Sequence, residues 1–101
     1  MIKNFRTYNI AIEFYQLASK LKIPVHLKNQ LDRAASSIAL NLAEGAGRRT
    51  RADQLRFYHI AFGSLRECQA VLDLLSLKES PAGESADKLG AHLYRLVKSR
   101  Q

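Results

Sequence analysis

The apolar residues recur every three or four positions along almost the whole chain, and no stretch alternates with a period of two. Spacings of three and four place apolar side chains on one face of an α-helix. The pattern therefore predicts an all-α chain with four helices, over residues 7–22, 25–44, 51–77 and 85–98. Because the connections are short, we expect an antiparallel up-down-up-down four-helix bundle in one domain, residues 1–101.

Small polar residues and glycines indicate where these helices begin and end. Gly45 and Gly47 follow the apolar stripe of the second helix and are predicted to end it. Thr50, with Asp53 three residues later, resembles a capping box at the start of the third helix. Residues 80–83, with the sequence SPAG, are predicted to form a loop before the last helix.

A hairpin that turns near Gly47 would place the small residues 34–37 opposite residues 58–62, which include two aromatics. Aromatic residues on more than one side of the first helix, and Phe57 beside Tyr58, leave apolar surface after one core is filled. Such a surplus is typical of an oligomer, although single exposed aromatics are also common on monomers.

The excess of basic residues indicates which classes of partner the protein could bind. Sixteen Lys and Arg against nine Asp and Glu give a net charge of +7 over 101 residues. This excess favours nucleic acid, anionic lipid or an acidic protein surface without choosing among them. The single cysteine, Cys68, cannot form an internal disulfide and lies in an apolar pattern, so we expect a cytoplasmic protein with a buried thiol. No signal peptide or membrane-spanning stretch is evident, and no membrane partner is predicted.

No set of reactive side chains has the spacing of a catalytic or metal site. The three histidines lie on different predicted helices and lack a partner four residues away. Ser64 lacks the second glycine and the strand of a nucleophile elbow. Gly45 and Gly47 lack the lysine of a phosphate-binding loop. We therefore predict no enzymatic activity, no catalytic residues, no metal and no cofactor.

Polar residues also lie among the apolar positions of the second and third helices. The candidates are Arg33, Asn41, Glu44, Ser64 and Glu67. If they are buried they must bond to one another, because an unpaired buried charge costs several kcal/mol. One interpretation is a network that fixes the helix register or forms a subunit contact. The other is a solvated helix face.

Arginines crowd the predicted start of the third helix, at Arg48, Arg49, Arg51 and Arg56. A helix N-terminus carries the positive end of the helix dipole and free N–H groups, so cations there are unfavourable and phosphate is favourable. We therefore predict that these four residues bind nucleic acid. The alternative is a solvated loop, paired with Glu44 or with an acidic surface of a neighbouring subunit.

Two stretches resemble a known family. RAASSIALNLAEGAGR at residues 33–48 and RFYHIAFGSLRE at residues 56–67 are similar to a signature of bacterial 23S rRNA-intervening-sequence proteins. The matched residues are Arg33, Ser37, Asn41, Glu44, Gly45, Gly47, Arg48, Phe57, Gly63, Ser64 and Glu67. The chain departs from the pattern at Leu40, where many members have proline, and at Phe62, where arginine is frequent. It also lacks the usual tryptophan in the first helix.

The resemblance implies a four-helix bundle. Accessory variability determinant proteins of diversity-generating retroelements share this fold, and through them the resemblance implies a ring-shaped pentamer that engages nucleic acid and a reverse transcriptase. Our leading hypothesis is a homo-oligomer, a pentamer, whose basic loops bind the RNA or DNA backbone with little sequence choice. The alternative is an adaptor that docks an acidic protein partner such as a reverse transcriptase.

Overall fold

The computed structural model describes residues 5–101, and these contain four α-helices and no strand. The helices are α1 (Arg6–Ser19), α2 (Val25–Ala46), α3 (Arg51–Leu74) and α4 (Pro81–Arg100). α1 and α3 each pack against α2 and α4, which makes a four-cornered bundle of 40 × 21 × 20 Å. The prediction of an all-α four-helix bundle is therefore confirmed. Residues 1–4 of the predicted domain lie outside the described residues.

The core lies where the apolar faces of the four helices meet. Phe14 of α1, Ile38 of α2, Leu65 of α3 and Leu93 of α4 are completely buried there. Each such side chain contributes about 1.5–3 kcal/mol by leaving water. Cys68 is buried among them as predicted, and burial, followed by the charge of Glu67, raises the pKa of its thiol to about 12.

The last helix begins at Pro81, so the prediction of a loop over residues 80–83 is wrong. Ser80 caps the helix, because its Oγ accepts a hydrogen bond of 3.1 Å from the Gly83 N–H. Pro81 suits the first helical position, where its fixed φ is helical and no N–H is needed. A Cβ at Gly83 would overlap the carbonyl oxygen of Lys78, so this glycine serves close backbone contact rather than a turn.

The other helix ends lie close to their predicted positions. α1 ends at Ser19 instead of residue 22, and α3 ends at Leu74 instead of residue 77, where Ser76 takes a left-handed φ of 57°. Gly45 lies inside α2, and Gly47 follows its last residue with a φ of −86°. The predicted cap of α3 is confirmed, since the Thr50 Oγ1 accepts a 3.1 Å hydrogen bond from the Asp53 N–H.

The register between α2 and α3 differs from the predicted one. The Tyr58 ring lies against Gly45, where a Cβ would come within 2.6 Å of the ring Cε1. Further along, the Oγ atoms of Ser37 and Ser64 are 2.9 Å apart. The predicted pairing of residues 34–37 with residues 58–62 is therefore wrong. The reason is that α2 continues through Gly45, which moves the turn towards α3.

Candidate nucleic-acid interface

One end of the bundle carries the excess positive charge of the described residues. The helix order brings the α2–α3 turn, the start of α1 and the end of α4 together at this end. Two contacts mark the junction: the Arg100 Nε donates a 2.7 Å hydrogen bond to the Gln54 Oε1, and the Phe5 and Tyr58 rings are 6.4 Å apart. We call it the basic end, and its cations are Arg6, Arg48, Arg49, Arg51, Arg56, Arg95, Lys98 and Arg100.

The acids of the basic end are few among residues 5–101, namely Glu44 and Asp53. The opposite end, built from the α1–α2 and α3–α4 connections, is electrically balanced. There Lys20, Lys22, Lys28, Lys78 and Lys88 accompany Asp32, Asp73, Glu79, Glu84 and Asp87. The charge of the described chain is therefore strongly polarised along the long axis of the bundle.

Four cations of the basic end were missed by sequence reasoning: Arg6, Arg95, Lys98 and Arg100. They are far in sequence from the α2–α3 turn, and no local motif connects them to it. A signal was nonetheless present, because an up-down-up-down bundle brings both ends of the chain to the same side as the middle turn.

Among the arginines of the α2–α3 turn, Arg48 is the one whose guanidinium group is bound by other side chains of the chain. Its Nη2 lies 2.7 Å from the Glu44 Oε2, and its guanidinium lies over the Phe57 ring, 4.8 Å from the centroid. Its Nε is buried and has no hydrogen-bond partner. The alternative of a pair with Glu44 therefore holds for Arg48, whose side chain shapes the turn.

Arg56 lies over the same aromatic ring. Its guanidinium carbon is 4.4 Å from the Phe57 centroid, and its Nη2 is 3.9 Å from the Asp53 Oδ1. A cation over an exposed ring is stabilised by about 0.5–1 kcal/mol, and an exposed ion pair by about 0–1 kcal/mol. Phe57 thus orients two guanidinium groups at the basic end while leaving Arg56 accessible.

Arg49 and Arg51 are exposed on either side of the α3 cap, Thr50. Neither forms an ion pair with any residue in the described part of the chain. Their charges oppose the dipole of α3 at its N-terminus, as the sequence predicted. These two side chains are consequently the most available for a phosphate.

The five candidate polar residues of α2 and α3 fall into three separate groups. The Asn41 Nδ2 donates to the Ser37 Oγ at 3.1 Å, and this hydroxyl in turn contacts Ser64. Because Ser37 and Ser64 belong to α2 and α3, this group links the two helices. It therefore fits the interpretation that polar contacts fix the register.

The two other groups are more exposed. Glu67 accepts a 3.0 Å hydrogen bond from Gln30 and lies 3.7 Å from Arg33, whose side chain is 77% exposed. Glu44 belongs with Arg48 at the turn. The desolvation argument does not apply to these charges, since water reaches them.

His92 lies on α4, three residues before Arg95 of the basic end. Its pKa is lowered from the ordinary value by burial and then by the positive charges of Arg95, Arg6 and Lys88. Among residues 5–101 no three His, Cys, Asp or Glu side chains lie close enough together to hold a metal ion. None of the described helices has the length and apolarity needed to cross a membrane.

A comparison with known protein families gives the same family as the resemblance of residues 33–48 and 56–67. The sequence profile of one family, described as 23S rRNA-intervening sequence protein, matches residues 5–99. The match therefore includes α1, α2 and α3 completely, α4 as far as Ser99, and every arginine of the α2–α3 turn. No curated protein matches the chain.

Proposed function

The chain belongs to the family of 23S rRNA-intervening sequence proteins, and on that premise we propose that it is a non-enzymatic homo-oligomer that binds RNA or DNA. The basic end contacts the phosphate backbone, with little choice of sequence. The name of the family indicates RNA as the ligand, and the positive charge of the basic end would attract RNA or DNA.

The observation that carries this proposal is the concentration of positive charge at one end of the bundle. Arg49 and Arg51 have no acidic partner among the described residues, so a phosphate replaces water and counterions there without breaking an existing ion pair. Arginines on a turn and at helix ends contact phosphates, and phosphate contacts position a protein without reading sequence. Low sequence specificity follows.

Self-association is supported by exposed apolar surface. Tyr8, Ile12, Tyr15 and Leu40 line a groove of about 180 Å³ between α1 and α2, and Leu40 is 68% exposed. We infer that this groove takes part in a contact between copies, and that the assembly is the pentamer implied by the family resemblance. A ring of five would gather five basic ends into one field.

Sedimentation velocity tests the assembly. The wild type should sediment as a pentamer, and Leu40→Gln should shift it towards the monomer. Leu74→Gln removes a similarly exposed leucine, 74% exposed, outside the groove and should leave the pentamer intact. A wild-type monomer would contradict the assembly proposal.

RNA titration tests the binding proposal. An unstructured RNA is titrated at about 50 and about 200 mM salt, where a protein that neutralises several phosphates binds much more weakly at the higher concentration. The variant Arg49→Ala/Arg51→Ala should bind more weakly, with a salt slope reduced by about 0.7 for each phosphate that it no longer neutralises. The control Lys20→Ala/Lys22→Ala removes the same charge from the opposite end and should bind like wild type.

Equal affinity of the two variants would reject the basic end as the binding site. If the wild type binds no nucleic acid but retains an acidic protein, such as a reverse transcriptase, in a nuclease-treated pull-down, the adaptor function replaces this one. The arginine variant then identifies whether the basic end holds that partner.

A further inference from the structure

A second surface adjoins the basic end, in the groove between α3 and α4. Six residues line it: Phe62, Arg66 and Gln69 from α3, and Asp87, Gly90 and Tyr94 from α4. Its volume is about 370 Å³, within the range of roughly 300–1,000 Å³ that small-molecule sites occupy. At Gly90 a Cβ would meet only Leu65 and Gln69, at the ordinary contact distances of 3.6 and 3.9 Å.

Two aromatic rings border this groove. Tyr94 is 56% exposed, and Phe62 is half-buried with part of its ring against the core. One exposed aromatic residue needs no explanation by itself, but Tyr94 borders a groove and offers it a flat π surface, whereas Phe62 lies between the core and Arg66. Such surfaces stack with nucleobases of any identity, because every base has a π face.

Each ring also has a cation above it. The Arg66 Cζ lies 5.0 Å from the Phe62 centroid, and the Lys98 Nζ lies 6.0 Å from the Tyr94 centroid. Arg66 forms no ion pair within residues 5–101. Lys98 lies in the last turn of α4 and is part of the basic end. The groove is therefore continuous with the proposed phosphate-binding surface.

The far side of the groove is polar and partly acidic. The Gln69 Nε2 donates a long hydrogen bond of 3.5 Å to the Asp87 Oδ1. A carboxylate at this position disfavours a phosphate but can accept a hydrogen bond from the edge of a neutral base. The charges thus separate into a cationic rim for phosphates and an interior suited to an uncharged planar group.

We propose that the α3–α4 groove holds an unpaired base of a single-stranded nucleic acid whose phosphates lie on the basic end. This inference rests on the proposed function and narrows its substrate class. A duplex can contact the basic end, but it cannot place a base in the groove because its bases are stacked and paired. A single strand can occupy both surfaces. The protein should therefore prefer single strands to duplexes.

The experiment compares oligo(U), oligo(dT) and duplex RNA with equal numbers of phosphates. Tyr94→Ala should weaken binding of the single strands on the order of ten-fold while leaving the duplex affinity and the salt slope unchanged. Leu74→Ala removes a comparably exposed apolar side chain outside the groove and should change none of these affinities.

A second variant supplies a direct signal. The chain has four tyrosines and no tryptophan, so Tyr94→Trp introduces a single indole, whose emission can be excited apart from that of the remaining tyrosines and which keeps the stacking surface. Its fluorescence should be quenched by oligo(U) or oligo(dT) but not by duplex RNA, and Leu74→Trp should not be quenched. The two oligomers show whether RNA, DNA or both enter the groove.

The outcomes separate the two proposals. Single-strand binding that is equal in wild type and Tyr94→Ala, with no quenching of Tyr94→Trp, overturns the groove and leaves the basic end intact. Failure of the wild type to bind any of the three polymers overturns both proposals. Equal weakening of single-strand and duplex binding in Tyr94→Ala also overturns the groove, because it indicates a general disruption of structure.

Discussion

The Arg100 Nε donates a 2.7 Å hydrogen bond to the Oε1 of Gln54, which joins the end of α4 to the first turns of α3. Gln54 in turn donates through its Nε2 to the backbone carbonyl of Arg48 at 3.1 Å. The C-terminal end of the chain is thereby fixed beside the α2–α3 turn. A cation remote in sequence becomes part of the same charged surface as Arg49 and Arg51.

This link predicts that Arg100 acts together with the arginines of the turn. Arg100→Gln should weaken binding to an unstructured RNA and lower the salt slope by about 0.7 if Arg100 neutralises one phosphate. Lys78→Gln makes the same charge change at the opposite end and should have no comparable effect. Equal affinities for the two variants, measured by fluorescence anisotropy, would exclude Arg100 from the interface.

The contact between α2 and α3 predicts opposite effects for two glycines. Gly45→Ala should destabilise the fold by about 1–3 kcal/mol, because the new Cβ would lie 2.6 Å from the Tyr58 ring and forces it to shift. At Gly63 no atom within 4 Å would meet a Cβ, so Gly63→Ala should stabilise the helix by up to about 1 kcal/mol.

Urea denaturation measures both changes in the free energy of unfolding. A stabilising Gly45→Ala would contradict the close packing of α2 on α3. If Gly63→Ala instead breaks the assembly in sedimentation, Gly63 lies in a contact between copies, where a methyl group has no room.

The buried thiol predicts that Cys68 is inert in the folded protein. Its pKa of about 12, raised by burial and then by the Glu67 charge, leaves almost no thiolate at neutral pH. A thiol reagent should therefore modify it only after unfolding. Ala91 is exposed, and the variant Cys68→Ala/Ala91→Cys should react at once. Rapid modification of wild-type Cys68 under native conditions would contradict its burial.

His92 predicts a pH dependence with a definite sign. Burial and the charges of Arg95, Arg6 and Lys88 lower its pKa below 6.5 in the folded chain, so the unfolded chain binds more protons between the two values. The contribution of His92 to the free energy of unfolding should be fully present above pH 6.5. It should decrease as the pH falls from 6.5 through the lower pKa of the folded chain. His92→Gln should flatten the dependence, as measured by thermal unfolding at several pH values.

The same residue reports on nucleic-acid binding. Phosphates near Arg95 and Arg6 would offset the charges that disfavour protonation, so the pKa of His92 should rise when RNA binds. An NMR titration of its ring protons with and without RNA measures the change. A pKa that is unchanged by saturating RNA would place the phosphates away from these residues.

Much of the fold was predictable because its main determinant is periodic. The three- and four-residue spacing of apolar positions located all four helices, and Thr50 with Asp53 located the start of α3. The start of α4 was not predictable in the same way. Serine followed by proline is equally favourable in a loop and at a helix start. The hydrogen bond from the Gly83 N–H to the Ser80 Oγ, which identifies the helix start, is visible only in the structure.

The charged surface was predictable only in its local part. The arginines of the turn are contiguous in sequence, so their crowding was visible at once. The pairing of Arg48 with Glu44 follows from helical spacing and was one of the predicted alternatives. The contribution of Arg100 depends on which ends of the bundle coincide, and the groove beside Tyr94 depends on the α3–α4 register. Neither is encoded in any short stretch.

A body about twice as long as it is wide, with its charge at one tip, also experiences a torque in the field of a polyanion. It should turn before contact and arrive with that tip leading, which shortens the search for a productive encounter. The balanced tip then faces away from the polymer, so a strand covered by many copies would present a nearly neutral outer layer to the surrounding solution.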